Sequence, residues 1–168
     1  MQEVLGRPHA QRLRHDLDEI RAELVQAVNE LTPGGFDWAP RPDMRSCKQL
    51  LQEVGAMEAL SRRWVTHREL PDWEATSQAL GGEDAPSTLS ALEGVRSETL
   101  EYLDRCTEEQ LETPIPIPEE WRQYFEGTSE IEPEELLRWV ARHEYYHVGQ
   151  LNTYGFLRAA NGGLQSGA

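Results

Sequence analysis

The chain has few basic residues and no long apolar run. Its 168 residues carry 16 lysines and arginines against 30 aspartates and glutamates, a formal net charge of −14. Such a charge repels a nucleic-acid backbone and an anionic membrane surface, so we expect neither as a partner. No apolar stretch reaches the roughly 20 residues of a membrane span. The start of the sequence also lacks the apolar segment of a signal peptide.

Cysteine is nearly absent as well. Cys47 and Cys106 form no CxxC pair. With no export signal, we expect a cytoplasmic protein whose thiols are reduced and buried. The length is that of one domain, so residues 1–168 are expected to form a single helical-bundle domain.

The most informative stretch runs from residue 132 to about residue 161 and is typical of one long helix. Pro133 suits the first helical position, and Glu134 follows in the first turn, where the helix dipole favours negative charge. Asn161-Gly162-Gly163 predicts the end of the helix.

Two histidines lie on the apolar face of this helix. His143 and His147 are four residues apart, so their side chains are stacked neighbours on the stripe that contains Val140 and Leu151. Neutral imidazole is a common ligand for Zn, Ni, Cu and Fe. We therefore favour a shared metal ion. The alternative is a pair of core histidines satisfied by hydrogen bonds.

Three earlier segments show the alternating three- and four-residue spacing of bundle helices. The first spans residues 8–31, the second begins at Ser46, and the third spans about 87–110. Ser46 and Gln49 form a capping box at the start of the second helix. Together with the last helix, the pattern predicts an all-α four-helix bundle with two long connections.

The connections are rich in proline and glycine. Residues 70–86 are expected to be irregular, with a short helical turn at 73–79. The prolines of residues 111–118 favour an extended chain. Residues 121–129 are expected to form a short irregular or hairpin-like cover, and the aromatic residues of 36–38 to pack over one end of the bundle.

A carboxylate falls on the apolar stripe of the second helix. Glu53 is in register with the apolar residues one turn before and after it, so it is expected to face the core, where a carboxylate needs a partner or a metal. If the second and last helices are neighbours, Glu53 meets His143 and His147. Glu58, turned by about 140° from Glu53, is expected to be partly exposed or to support the site by contacting a metal ligand or bound substrate.

The other histidines do not join this set. His15 lies off the apolar stripe of the first helix and is expected to be solvated, and His67 is expected to end the second helix. His9 closes the apolar stripe at the start of the first helix, where a metal role is not favoured. Without a metal, the alternative for Glu53 is an ion pair with a protonated His143 or His147.

The run His143-Glu144-x-x-His147 also matches the HExxH motif of zinc peptidases, in which the Glu is the general base. A downstream third ligand is missing, because residues 148–168 contain no His, Asp or Glu. Nor does any strand-rich region offer an edge to hold a peptide. A zinc peptidase is therefore the least favoured reading.

The longer run His143-x-x-x-His147-x-Gly149-Gln150 resembles the C-terminal signature of the DinB-like (DinB/YfiT-type) superfamily. These metal-binding four-helix bundles include bacillithiol and mycothiol S-transferases and a mycothiol-dependent maleylpyruvate isomerase. The resemblance extends to Trp38-x-Pro40, to Ser46 and to the acidic Glu58, and so covers nearly the whole chain.

One position departs from the family pattern. The family usually has a third histidine seven residues after the serine of the second helix, and this chain has Glu53 there. The resemblance therefore implies a metal site made of Glu53, His143 and His147, with open positions for water or substrate. Zn, Ni, Mn and Fe(II) all suit such a set.

By resemblance, the ion would activate a thiol or a water for attack on a small electrophilic molecule, in thiol transfer, isomerisation or hydrolysis. A low-molecular-weight thiol as a second cofactor and a homodimer are further implications. Gln150, one turn from His147, would orient a bound ligand or hydrogen-bond a metal ligand. The alternative is a non-catalytic bundle that binds metal or a small ligand in a stress response.

Overall fold

The computed structural model describes residues 7–31 and 34–165, with side chains described up to Asn161. Within these residues the protein is an all-α four-helix bundle, which confirms the predicted fold class. The four long helices are α1 (Pro8–Leu31), α2 (Cys47–His67), α4 (Ala85–Arg105) and α6 (Pro133–Gln165). Two short helices lie between them, α3 (Trp73–Ala79) and α5 (Glu108–Glu112).

The order of the helices around the bundle differs from their order in the chain. α6 packs most extensively on α1 and also packs on α2, while α4 packs on α2 and less closely on α1. The last helix therefore lies between the first two. This arrangement satisfies the condition for a shared site, because α2 and α6, which carry the candidate ligands, are direct neighbours.

The start of α2 is held in two ways. Ser46 accepts a hydrogen bond from the backbone N–H of Gln49, whose side chain in turn accepts from the backbone of Ser46, so the predicted capping box is confirmed. The preceding connection packs on α6, where the Trp38 and Tyr154 rings make an edge-to-face contact at 5.8 Å. The Tyr154 hydroxyl donates to the backbone carbonyl of Arg45 at 2.9 Å. These contacts fix the chain that leads into the site.

The third long helix ends earlier in the sequence than predicted. α4 ends at Arg105 and not at Gln110, because Cys106 turns to an extended conformation with φ −70° and ψ 155°. Thr107 then caps a separate helix, α5, through a second capping box with Gln110. The local Thr-x-x-Gln signal overrides the apolar spacing that continues across it.

The predicted cover is present as a small hairpin-like element. The strands β1 (Ile115–Pro116) and β2 (Glu130–Ile131) pair antiparallel, with Ile115 opposite Ile131. A 3₁₀ helix, Glu119–Tyr124, lies between them and buries Trp121. The predicted turn at Trp73–Ala79 is also confirmed, as α3.

The last helix is longer than predicted. It continues through Asn161-Gly162-Gly163 to Gln165. Glycine in a helix costs only about 1 kcal/mol relative to alanine, so a glycine pair weakens a helix without compelling it to stop. Within the described residues, no helix combines the length and the apolar character needed to cross the bilayer.

Four charged side chains are buried where the long helices meet. Arg21 of α1 donates from Nε to Glu144 of α6 at 2.7 Å and from Nη2 to Glu58 of α2 at 3.0 Å. Arg96 of α4 donates from Nε to Glu58 at 2.8 Å and from Nη2 to Glu144 at 2.5 Å. We call these four residues the charge quartet. Each long helix contributes one charged group to the quartet. Two arginines and two glutamates make it electrically neutral, and their hydrogen bonds join all four helices.

The quartet corrects the expectation that Glu58 is partly exposed. The Glu58 side chain is fully buried, with 0% exposure. α2 packs on α4 as well as on α6, so a residue turned away from the site still enters the interior. Both carboxylate oxygens of Glu58 are bound by arginines.

Candidate metal centre

The structure brings Glu53, His143 and His147 together between α2 and α6. Oε1 of Glu53 lies 3.8 Å from Nε2 of His143 and 3.8 Å from Nε2 of His147. The two Nε2 atoms are 3.2 Å apart. The three side chains thus point one ligand atom each at a common position.

The spacing of these atoms fits a metal ion. Two ligand atoms on one tetrahedral Zn²⁺ stand about 3.3 Å apart, because each lies about 2.0–2.1 Å from the ion. The observed separations of 3.2 and 3.8 Å lie within about half an ångström of that value. Small side-chain rotations are enough to complete the geometry. A carboxylate and two imidazoles are also a donor set that divalent transition metals accept.

The imidazole rings are held by neighbours on the same helix. Nδ1 of His147 lies 2.6 Å from Oε1 of Gln150, an acceptor, so Nδ1 carries the proton and Nε2 presents its lone pair to the site. The amide nitrogen of Gln150 donates to the Tyr146 hydroxyl at 3.1 Å. The Trp139 indole stacks on the His143 ring at 6.0 Å, with 29° between the planes. The rings are therefore oriented without help from a bound ligand.

Electrostatics keep Glu53 and His147 in the forms that bind metals. Burial lowers the pKa of His147, and the neighbouring His143 lowers it further, so the neutral imidazole is favoured. Burial acts to raise the pKa of Glu53, but His143, His147 and Arg45 outweigh it and the pKa is lowered. Glu53 is therefore an anion beside two imidazoles, and Arg45 pairs with its second oxygen.

One polar atom at the site has no partner. Nδ1 of His143 is shielded from solvent and makes no hydrogen bond, whereas Oε2 of Glu53 is paired with Arg45. Buried polar atoms without partners are uncommon in native proteins and indicate strain, a missing water or a missing ion.

A cavity of about 200 Å³ opens beside Glu53, between α2 and α3. Six of its lining residues are Arg45, Gln49, Gln52, Glu53, Trp73 and Glu74. The volume is below the roughly 300–1,000 Å³ of drug-sized ligand sites, so it suits a small molecule. Amide, indole and guanidinium groups meet there beside one of the candidate ligands.

Glu144 does not belong to this site. Its carboxylate lies in the charge quartet, where Arg21 and Arg96 bind both oxygens. It is therefore not available as the general base that a HExxH peptidase needs. Glu58 likewise contacts the quartet arginines. Of Glu58 and Gln150, the two residues expected to support the site, Gln150 touches a candidate ligand.

Several residues at the site were not predicted from the sequence. Arg45 lies in a connection, where periodicity carries no information, and Trp139 stacks on His143 from one turn earlier on α6. Tyr146 directly precedes His147, and its ring lies 5.2 Å from that of His147. The i, i+4 spacing of Tyr146 and Gln150 could have indicated their contact.

Comparison with known proteins places the chain in a family. The sequence pattern of the DinB superfamily matches residues 16–151, most of the chain, so this protein belongs to the DinB superfamily. The class that the fold and the site define is thus a DinB-type four-helix bundle with a candidate metal centre. Among curated proteins, none matches the chain.

Solved structures show the same fold at low sequence identity. A conserved protein from Enterococcus faecalis has a TM-score of 0.64 at 18% identity, over 88% of this chain and 95% of that one. The DinB-like protein YjoA from Bacillus subtilis has a TM-score of 0.62 at 16% identity, over 89% and 92%. YfiT from Bacillus subtilis, described as a probable metal-dependent hydrolase with an unusual four-helix bundle topology, has a TM-score of 0.62 at 18% identity, over 91% of each chain.

Proposed function

We propose that this protein is a divalent-metal-dependent enzyme that uses Glu53, His143 and His147 as its metal ligands. The reaction is the attack of an activated water or thiol on a small electrophilic molecule, in hydrolysis, thiol transfer or isomerisation. The observation that carries the proposal is the convergence of the three ligand atoms, all within 4.8 Å of one another. The description of YfiT as a probable metal-dependent hydrolase supports hydrolysis within this range.

The chain's own residues have separable roles in this proposal. The ion, when bound, supplies a Lewis acid that lowers the pKa of a water or thiol bound to it. Gln150 keeps His147 in the tautomer that exposes Nε2. Trp139 fixes the His143 ring by stacking. Arg45 supplies a positive charge at the rim of the cavity, where it can bind an anionic or electron-rich group of the substrate.

The metal identity and the thiol belong to the proposal as open choices. Two imidazoles and one carboxylate suit Zn, Ni, Mn and Fe(II). Neither cysteine is placed to be the nucleophile, because Cys47 and Cys106 are buried in other parts of the bundle. Burial also raises the pKa of Cys47 to about 12. A thiol, if used, therefore comes from a low-molecular-weight cofactor, and the homodimer implied by the family resemblance stays a prediction.

A non-catalytic metal-binding bundle is the second candidate. The contact between Arg45 and Glu53 favours this candidate, because the guanidinium occupies one oxygen of the Glu53 carboxylate. A bundle of this kind would bind metal or a small ligand, for example in a stress response, with no turnover.

The first experiment tests the site. Metal-free protein is titrated with Zn²⁺, Ni²⁺ and Mn²⁺, and the bound metal is measured by elemental analysis. His147→Ala is expected to lose one equivalent of metal, while His15→Ala, a matched histidine on the exposed face of α1, loses none. Unchanged metal content in His147→Ala would remove both the enzyme and the metal-binding candidate.

The second experiment separates enzyme from binder. Metal-loaded protein is incubated with small ester and amide substrates, and with electrophiles in the presence and absence of a low-molecular-weight thiol. Turnover that disappears in His147→Ala supports the enzyme. Metal binding without turnover in any of these assays supports the non-catalytic bundle.

A further inference from the structure

A second group of potential metal-ligand side chains lies where the starts of α1 and α6 meet α5. One ligand atom from each of His9, Glu108 and Glu112 lies within 4.8 Å of the others. Nε2 of His9 is 3.2 Å from Oε1 of Glu112. Residues about 100 positions apart in sequence thus meet around one point.

Glu108 is fixed in place by the backbone of α1. Its carboxylate oxygens accept hydrogen bonds from the backbone N–H groups of His9 at 3.1 Å and Ala10 at 3.3 Å. Each carboxylate oxygen has a second lone pair, so these bonds leave room for a cation. Glu112, one turn further along α5, is largely exposed and points a carboxylate oxygen at Nε2 of His9.

The imidazole of His9 has the environment of a metal ligand. Its Nδ1 is shielded from solvent and pairs with Oε2 of Glu134 at 3.1 Å. In metal sites, a histidine that binds through one nitrogen usually presents the other N–H to a carboxylate, which fixes its tautomer. Arg138 in turn binds Glu134. The pairing of Nδ1 with Glu134 therefore leaves Nε2 facing Glu112 and available to a cation.

The charge of the cluster also favours a cation. Three carboxylates surround one imidazole, and Arg138 pairs with Glu134. Even with His9 protonated, the sum of these charges is negative. A divalent ion at the common point of His9, Glu108 and Glu112 reverses this imbalance.

We propose that His9, Glu108 and Glu112 form a second divalent-cation site, with Glu134 orienting the His9 ring. One histidine nitrogen and two carboxylates are ligands that Zn²⁺ accepts. The ion ties the start of α1 to α5 and, through Glu134, to the start of α6. Its role is structural, and it is independent of the centre formed by Glu53, His143 and His147.

The test uses Zn²⁺ as the probe and measures bound zinc per chain after equilibrium dialysis. Wild-type protein is expected to bind two equivalents, and the double variant His143→Ala/His147→Ala one. Addition of His9→Ala to the double variant removes the last equivalent, whereas addition of His15→Ala does not. Retention of zinc when His9→Ala is added, or no zinc on the double variant, overturns the proposal.

A milder substitution covers the case in which His9→Ala impairs folding. Glu112→Gln changes an exposed side chain, and Glu109→Gln on the same helix is its matched control outside the cluster. In the double-variant background, Glu112→Gln is expected to weaken zinc binding at least about tenfold and to reduce the rise in thermal midpoint that zinc produces. Equal affinity and equal midpoints for the two variants would contradict the site.

Discussion

The charge quartet and the candidate metal centre use the same helices but differ in how completely their polar groups are satisfied. In the quartet, two guanidiniums bind two carboxylates, and the charges cancel. At the centre, Nδ1 of His143 is buried without a hydrogen-bond partner. Glu144 and His143 are adjacent in sequence, yet one belongs to each region.

This difference distinguishes buried polar residues that have a structural role from those that could bind a ligand. A buried charge with all its partners present in the protein needs nothing more and acts to hold the helices in one arrangement. A buried polar atom that lacks a partner indicates strain, a missing water or a missing ion. By this criterion Glu144 of the HExxH run is structural, and His143 and His147 stay the candidate metal ligands.

The largest expected effect comes from breaking the quartet. Arg96→Met leaves Glu58 and Glu144 with one arginine between them in the interior, and removal of one partner of a buried ion pair costs about 3–5 kcal/mol. Denaturant unfolding of the metal-free protein measures the change. The control is Arg105→Met at the exposed end of the same helix, whose ion pair with Glu101 is worth less than about 1 kcal/mol. Equal stability of the two variants would show that the quartet does not hold the bundle.

A smaller effect is expected from removing a residue that supports a candidate metal ligand. Gln150→Leu removes the acceptor on Nδ1 of His147 while leaving all three ligands in place. Loss of such a support costs about 10–100-fold in metal affinity. The affinity is measured by competition with a chelator, and Thr153→Val, on the exposed side of the same helix, is the control. An affinity equal to that of the wild type would mean that Gln150 does not position the ring.

The smallest effect concerns pH. Burial and the neighbouring His143 lower the pKa of His147 in the folded protein below its ordinary value of 6.5. The unfolded chain therefore binds the proton more readily, so the stability that depends on neutral His147 is complete above about pH 6.5. It is lost as the pH falls from there towards the folded-state pKa, by at most about 1.4 kcal/mol per pH unit.

Metal-free His147→Asn provides the check on this dependence. Its stability between pH 7 and pH 5 is expected to vary less than that of the wild type, as followed by thermal unfolding. His15→Asn, which changes an exposed histidine, should keep the wild-type slope. A wild-type slope in His147→Asn would assign the acid sensitivity to other groups.

Much of the fold and the three candidate ligands followed from periodicity. The spacing of His143 and His147, and the register of Glu53 with its apolar neighbours, depend only on the geometry of a helix. The extent of α1 and the capping box of α2 were predicted for the same local reason. Contacts made by residues close in sequence are encoded locally.

The quartet was missed although a signal was present. Arg21 lies between Leu17 and Leu24 on the buried stripe of α1, and Arg96 lies four residues after Leu92 on α4. Two arginines at core positions predict buried carboxylate partners, because a buried charge needs a charge of the opposite sign. Arg45 and the cluster around His9 had no such signal, because they depend on how distant segments pack.

The most direct test of the metal centre is a crystal structure of the protein soaked with Zn²⁺, with anomalous scattering used to locate the ion. An anomalous peak is expected within coordination distance of Oε1 of Glu53 and Nε2 of both His143 and His147. Crystals that show no peak there, with Glu53 turned away and the two imidazole rings bound only to each other and to Gln150, would contradict it.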